Sequence, residues 1–342
     1  MATLIYDVND LQNIELDLTA DYELANDIDA SGFAFVPITD FEGTLDGKGY
    51  KVDGLTITIN AGGEQEGAFI LANSGIIRNL GLTSVSINIT STDDNAYAGA
   101  IVVINEGTIE KCSVSGTIVV TGESAYAGGF VCENYDTGII SESYSTATIT
   151  ITATMNDAAA GGFCYANDTY EGGAISRISN CYARGSVTAS GDPTYIGGFA
   201  QYNNTTIENC YSTGAVSGTA EGGFLQDDHG DVTACYWDTI TSGTAISDGG
   251  TGKTTAEMKT KSTFSGWNFS SIWSITAFCN NGYPCLQNVT PNCALIPSIQ
   301  GEQVKEIITL EAMRNIEMSC MGRLYVDEEG NLTYESRYAR NP

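Results

Sequence analysis

Residues 197–216 read GGFAQYNNTTIENCYSTGAV. The same plan recurs up and down the chain. Its opening returns as Gly67-Ala-Phe-Ile-Leu-Ala-Asn, Gly99-Ala-Ile-Val-Val-Ile-Asn, Gly128-Gly-Phe-Val-Cys-Glu-Asn, Gly161-Gly-Phe-Cys-Tyr-Ala-Asn and Gly222-Gly-Phe-Leu-Gln-Asp-Asp. Successive leading glycines are 32, 29, 33, 36 and 25 residues apart. The second half, Ile-x-Asn-Cys-Tyr-Ser-x-Gly-x-Val, is clearest at 207–216 and 178–187. A unit of roughly 30 residues holding three short strands cannot bury an apolar face alone, but it can when stacked on a copy of itself. Equivalent strands then pair in parallel about 4.8 Å apart, and like side chains form columns. The predicted fold is all-β: a right-handed parallel β-helix with capped ends. The hand is taken from the general preference of parallel crossovers.

Several columns follow. Phe69, Phe130, Phe163, Phe199 and Phe224 are expected to stack inside. Cys112, Cys181, Cys210 and Cys235 share one small inward position with Leu80 and Ser143, either as buried thiols or as a bridged pair among them. Cys132 and Cys164 lie in the Phe strand, one position out of register. Cys279, Cys285 and Cys293 lie in a loop-rich end better suited to a disulfide. Asn79, Asn180 and Asn209 mark a corner in which a left-handed backbone is expected. The next column holds Ser113, Tyr144, Tyr182, Tyr211 and Tyr236. Alternation turns these tyrosines outward as an aromatic stripe, which either packs against a loop or neighbouring chain or serves as a sugar-stacking ladder.

Composition narrows the functions. With 14 Lys+Arg against 42 Asp+Glu the net charge is −28, which repels phosphate backbones and anionic membranes. Nucleic-acid partners and membrane insertion are not expected; no apolar run reaches ~18 residues. Met1 to Asp10 has neither the basic nor the apolar region of a secretion signal, so export by removal of a signal or by another route is expected. The single His229 leaves little room for His-based metal or triad chemistry. Gly252-Lys-Thr lacks the upstream glycine of a phosphate loop, since Ser247 stands there.

The repeats resemble the GLUG-motif family of parallel β-helix surface proteins, as do the opening ANDIDASGFAFVPI…FEGTLDGKGYKVDGLTI and the ending CYWDTITSGTAISDGGTGKTTAEMKTK…NNGYPCLQ. The resemblance covers residues ~1–287 and implies an adhesive or structural role with no catalytic residues. It divides the chain into a cap with first coils (1–60), repeats (61–240) and a C-terminal cap (241–287). A linker (288–300) and a docking segment (301–342) follow. In that segment Val304, Ile307, Ile308, Ala312, Met313 and Ile316 share a helical face, and GRLYVDEEGNLTYESR reads as a hairpin turning at Gly330. This part is similar to a segment of phage minor tail and tail-hub proteins.

The leading expectation is therefore a non-enzymatic rod displayed outside the cell, as a phage-type virion or tail component. It would contact a host-surface glycan or neighbouring subunits, copies of itself included, through Tyr144, Tyr182, Tyr211 and Tyr236. A secreted or cell-surface bacterial adhesin is the second reading. A polysaccharide-degrading enzyme using Asp227, Asp228, His229 and Asp231 is the third. No cofactor is expected beyond Ca²⁺. Asp93, Asp94, Asp157 and Asp192, with Glu123 and Glu221, precede the glycine pairs and would form either a solvated edge or a weak calcium-binding one.

Overall fold

In a computed structural model, residues 2–170, 175–276, 279–289, 322–326 and 332–336 are described. The units stack as a parallel β-helix. One turn illustrates the path. Thr108–Glu110 enters a nine-stranded parallel sheet, and Lys111 turns the corner. Ser113–Gly122 then runs in a second, longer sheet. Ala125–Gly128 joins a six-stranded third sheet, and Val131–Tyr135 a seven-stranded fourth. Ile139–Ser141 then returns to the first sheet, one coil on, in register with Thr108–Glu110.

The predicted corner recurs through the repeats. Asn79, Asn180 and Asn209 all have φ of 51–53°, and Lys111, Glu142 and Ala234 adopt it without the asparagine side chain. Register, not residue preference, imposes it there. The corner between the third and fourth sheets needs glycine for another reason: a Cβ on Gly128 or Gly197 would meet the carbonyl oxygen of Val131 or Ala200.

The interior is columnar as expected. Phe130, Phe163, Phe199 and Phe224 stack with ring centroids 4.6–4.9 Å apart, and Phe69 is equally buried. Cys112, Cys181, Cys210 and Cys235 are buried free thiols, so the unbridged alternative holds. Each sulfur sits near the carbonyl of the residue two before it. Val131 pairs with Cys164, which confirms the one-position offset of Cys132. Cys279 and Cys285 form a disulfide; Cys293 lies outside the described residues.

The last residue of the repeated Gly-x-Phe stretch forms a second interior column. Asn73, Asn105, Asn134, Asn167 and Asn203 are buried, and each side-chain amide donates to the next carbonyl oxygen at 2.8 Å. The chain of bonds ends on the Asp228 carboxylate, also at 2.8 Å. At the other end, Asn73 pairs in register with Phe41, which offers no donor. Its Oδ1 is the one buried side-chain polar atom without a partner among the described residues. Aligned amides polarise one another, so a carboxylate suits the end that needs an acceptor.

At the N-terminal end a short helix, Val8–Gln12, covers the first coil and buries Leu11. Asp7 caps it by accepting from the amides of Asn9 and Asp10. At the other end, residues 254–289 fold back along the second sheet. Gly322–Val326 and Leu332–Ser336 pair antiparallel, as the hairpin reading expects. The helix expected within 301–319 and the turn at Gly330 lie outside the described residues.

Candidate functional site

The expected outward tyrosine stripe exists, but the chain itself covers it. Tyr144 stacks on Tyr182 at 4.6 Å, and Tyr182 on Tyr211 at 5.0 Å. Their outer edges meet Met258, Phe264, Trp267, Trp273, Tyr283 and Leu286 in a second apolar core. Tyr211 is fully buried; Tyr182 and Tyr236 are nearly so, and Tyr144 packs at the margin. Tyr211 Oη donates to the Pro284 carbonyl at 2.6 Å, and the indole of Trp267 donates to that of Ala234 at 2.9 Å. Burial pushes the hydroxyls of Tyr182 and Tyr211 far up from their ordinary value. The ladder reading of Tyr144, Tyr182, Tyr211 and Tyr236 is thus corrected. These side chains bind the cap, because Phe264, Trp267, Trp273 and Tyr283 remove their apolar surface from water by packing on this stripe.

The residues expected to hold calcium do not gather. Among the described residues no three His, Cys, Asp or Glu side chains come together as a metal site. The loops of successive coils do stack, through bonds such as Glu123 N to Asp94 O at 2.8 Å. Their carboxylates diverge: Asp93, Asp94 and Asp192 are exposed, and Asp93 accepts from the Gly63 amide at 2.6 Å. Asp157 instead belongs to a groove. The Asp227–Asp231 cluster also separates. Asp228 terminates the asparagine ladder, and His229 lies 3.2 Å from Asp227 on the surface, with its ring 5.8 Å from that of Tyr202.

A different tyrosine-lined face is open. The glycine corners bend the third sheet towards the fourth and leave a groove of ≈ 560 Å³ between their outer faces. On one wall, strand register aligns Glu66, Tyr97, Tyr126, Ala159 and Tyr195. On the other it aligns Ala72, Ile104, Glu133, Ala166, Tyr202 and Asp227. Tyr97 stacks on Tyr126 at 5.0 Å, and Tyr165 leans across from the second wall to reach Tyr126 at the same distance. All five tyrosines are half-buried, and Tyr97, Tyr126 and Tyr165 pack against Val103 and Cys132. The Gln201 amide donates to Gln226 at 2.7 Å on the groove floor.

Every charged side chain lining this groove is acidic: Glu133, Asp157, Asp168 and Asp227. Burial, then the neighbouring charges of Asp168 and Glu66, raises the Glu133 carboxyl above its ordinary value. Burial likewise takes the Tyr97 hydroxyl up to about 12. Sequence reasoning missed this site. The signal was the repeated Ala-Tyr-Ala-Gly at 96–99 and 125–128: with Ala98 and Ala127 inward, Tyr97 and Tyr126 must face out.

Residues 123–150 match the model of the GLUG motif. They span one full turn, from the loop after the second sheet through the groove strands and back to the second sheet. The chain is a GLUG-repeat β-helix. It is 30% identical over 346 aligned positions to halomucin of Haloquadratum walsbyi, covering 90% of this chain but 4% of that protein. The chain thus spans a small fraction of that curated relative. A solved IgA1 protease superposes with a TM-score of 0.53 at 16% identity, over 68% of this chain and 19% of that one. At that identity the likeness concerns the fold alone. The motif match at 123–150 and the β-helix fold bear out the resemblance to GLUG-type β-helix repeats. None of these matches extends the phage resemblance of residues 301–342.

Proposed function

We propose that this chain is a non-enzymatic structural or adhesive rod of a surface-displayed protein. It makes its contacts, to a glycan or to neighbouring subunits, along the open groove. The GLUG repeat, the halomucin likeness and the shared β-helix fold fit a surface protein. The observation that carries the reading is the groove: a continuous interior of stacked columns holds Tyr97, Tyr126 and Tyr195 in register on one wall and Tyr165 and Tyr202 on the other, all half-buried. Such a frame presents side chains with little entropy to lose on contact. The third, enzymatic reading is weakened by the Asp227–Asp231 cluster, whose Asp228 is engaged in the asparagine ladder.

The virion version rests on residues 301–342, and we rank the cell-surface version above it. Mass spectrometry of envelope, secreted and virus-particle fractions of the source culture tests location. Enrichment in the envelope or secreted fraction is expected. Co-purification in fixed ratio with capsid or tail proteins would place the chain in a virion instead. Release of new sugar ends from a polysaccharide panel by the purified chain would overturn the non-enzymatic reading.

A further inference from the structure

The groove is not uniform along its length. One wall carries Tyr126, Ala159 and Tyr195 in consecutive coils, and the other carries Glu133, Ala166 and Tyr202. Both walls therefore drop to alanine in the same coil. Tyr165 closes one side of the resulting notch by packing on Tyr126. Tyr195 and Tyr202 stand on the other side, in the next coil. Gln201 and Gln226 lie below, and Glu133, Asp168 and Asp227 supply carboxylates at the rim. We propose that this notch is a binding subsite for a pyranose ring of a neutral glycan, with adjoining sugars lying along the groove.

Three features select that ligand. The notch lies where both register columns hold alanine: Tyr126 and Tyr195 are two coil spacings (~10 Å) apart, and the Tyr165 ring of the intervening coil leans away onto Tyr126. A ring-shaped, partly apolar ligand fits such walls. The polar lining is rich in acceptors (carboxylates, carboxamide and phenol oxygens), which suits a ligand carrying many hydroxyl donors. Among the described residues no Lys or Arg lines the groove, and its four carboxylates repel anionic sugars. A basic side chain would satisfy the charge, but it would leave the carboxamides and phenols on both walls unused. The inference deepens the contact role proposed above, and its test is independent of where the protein resides.

The test uses the purified full chain in calorimetric titrations with maltohexaose, cellohexaose and mannohexaose. Hexagalacturonate and a lysine hexapeptide serve as anionic and cationic controls. At least one neutral hexaose is expected to bind, with hexagalacturonate bound at least about tenfold more weakly. Ala159→Tyr fills the notch without changing charge, at a position where both register neighbours are tyrosine. It should weaken binding at least about tenfold while leaving the melting temperature unchanged. If Ala159→Tyr lowers the melting temperature, the paired change Tyr195→Ala with Tyr202→Ala, at half-buried positions, replaces it and should weaken binding similarly. Binding by none of the three hexaoses overturns the proposal. So does equal binding of hexagalacturonate, binding unaffected by the variants, or notch-dependent binding of the peptide alone. Failure here with confirmed surface location would leave a subunit-contact rod, whereas sugar binding by a protein found elsewhere would leave the subsite intact.

Discussion

Two columns of tyrosines run along this β-helix, and they have opposite fates. Tyr144, Tyr182, Tyr211 and Tyr236 stack on the second sheet and vanish beneath residues 254–289. Tyr97, Tyr126 and Tyr195 stand half-buried on the third sheet, and Tyr126 and Tyr195 line the groove. The residue type and the coil spacing are the same. What differs is whether another part of the chain brings an apolar face to the column. Outward-pointing relative to a coil is therefore not the same as exposed, and an aromatic stripe becomes a candidate site only after the cap has taken its share.

The difference should be measurable, and the largest effect belongs to the covered column. Tyr211→Ala removes a fully buried ring and leaves Asn280 and the Pro284 carbonyl without their hydroxyl partner. A loss of about 3–5 kcal/mol is expected. Limited proteolysis should show it as cleavage within 254–289 before the coils are cut. Protection equal to wild type would mean the cap is held elsewhere.

Next in size is Asp238, the polar anchor of the same interface. Its carboxylate accepts from Tyr283 Oη at 2.6 Å, Thr255 Oγ1 at 3.0 Å and the amides of Ile240 and Thr241. Burial alone would raise its pKa, but these bonds, Tyr283 first, outweigh it and hold the carboxyl below its usual range. Asp238→Ala should cost about 2–3 kcal/mol near neutral pH. Because the folded pKa is the lower one, that stabilisation is present above about pH 4 and fades as pH falls through the folded value. Urea melts of wild type and variant should converge in acid. A gap that persists at pH 2 would assign the effect to packing.

On the open column the same truncation should matter far less. Tyr126→Ala removes a half-buried ring stacked on Tyr97 and Tyr165, and about 1 kcal/mol is expected in a thermal melt. A cost matching Tyr211→Ala would erase the distinction between the columns.

The smallest effect has the opposite sign. Burial and neighbouring carboxylates raise the Glu133 pKa, so its ionised form opposes folding. Glu133→Gln should slightly raise the melting temperature at pH 7. No gain is expected below about pH 4, where the unfolded carboxyl is also protonated. A destabilised variant at pH 7 would show that Glu133 has a favourable partner.

Much of the fold was legible because repetition amplifies weak signals. The phenylalanine, cysteine and asparagine-corner columns each rest on three or more aligned positions, and all appear inside or at the turns as read. The asparagine ladder was in plain sight in the aligned Asn73, Asn105, Asn134, Asn167 and Asn203. Its function was not, since whether an inward amide finds partners depends on the coils stacked above and below it. The candidate site was less legible. Asp157 was singled out for calcium and lines the groove instead; Asp227 was grouped with Asp228, which faces a different partner.

By itself the sequence determined the stacking unit, the identity of the interior columns and the side of each coil on which a residue falls. Those properties follow from a period of about 30 residues and an alternation of two, both local. Only the tertiary structure decided which outward column is covered, which cysteines pair and where the groove opens. The tie from Trp273 to Asn180 spans 93 residues, and that from Pro284 to Tyr211 spans 73. Contacts that far apart obey no repeat, because the cap is not a repeat and its place is chosen by the apolar area it can bury.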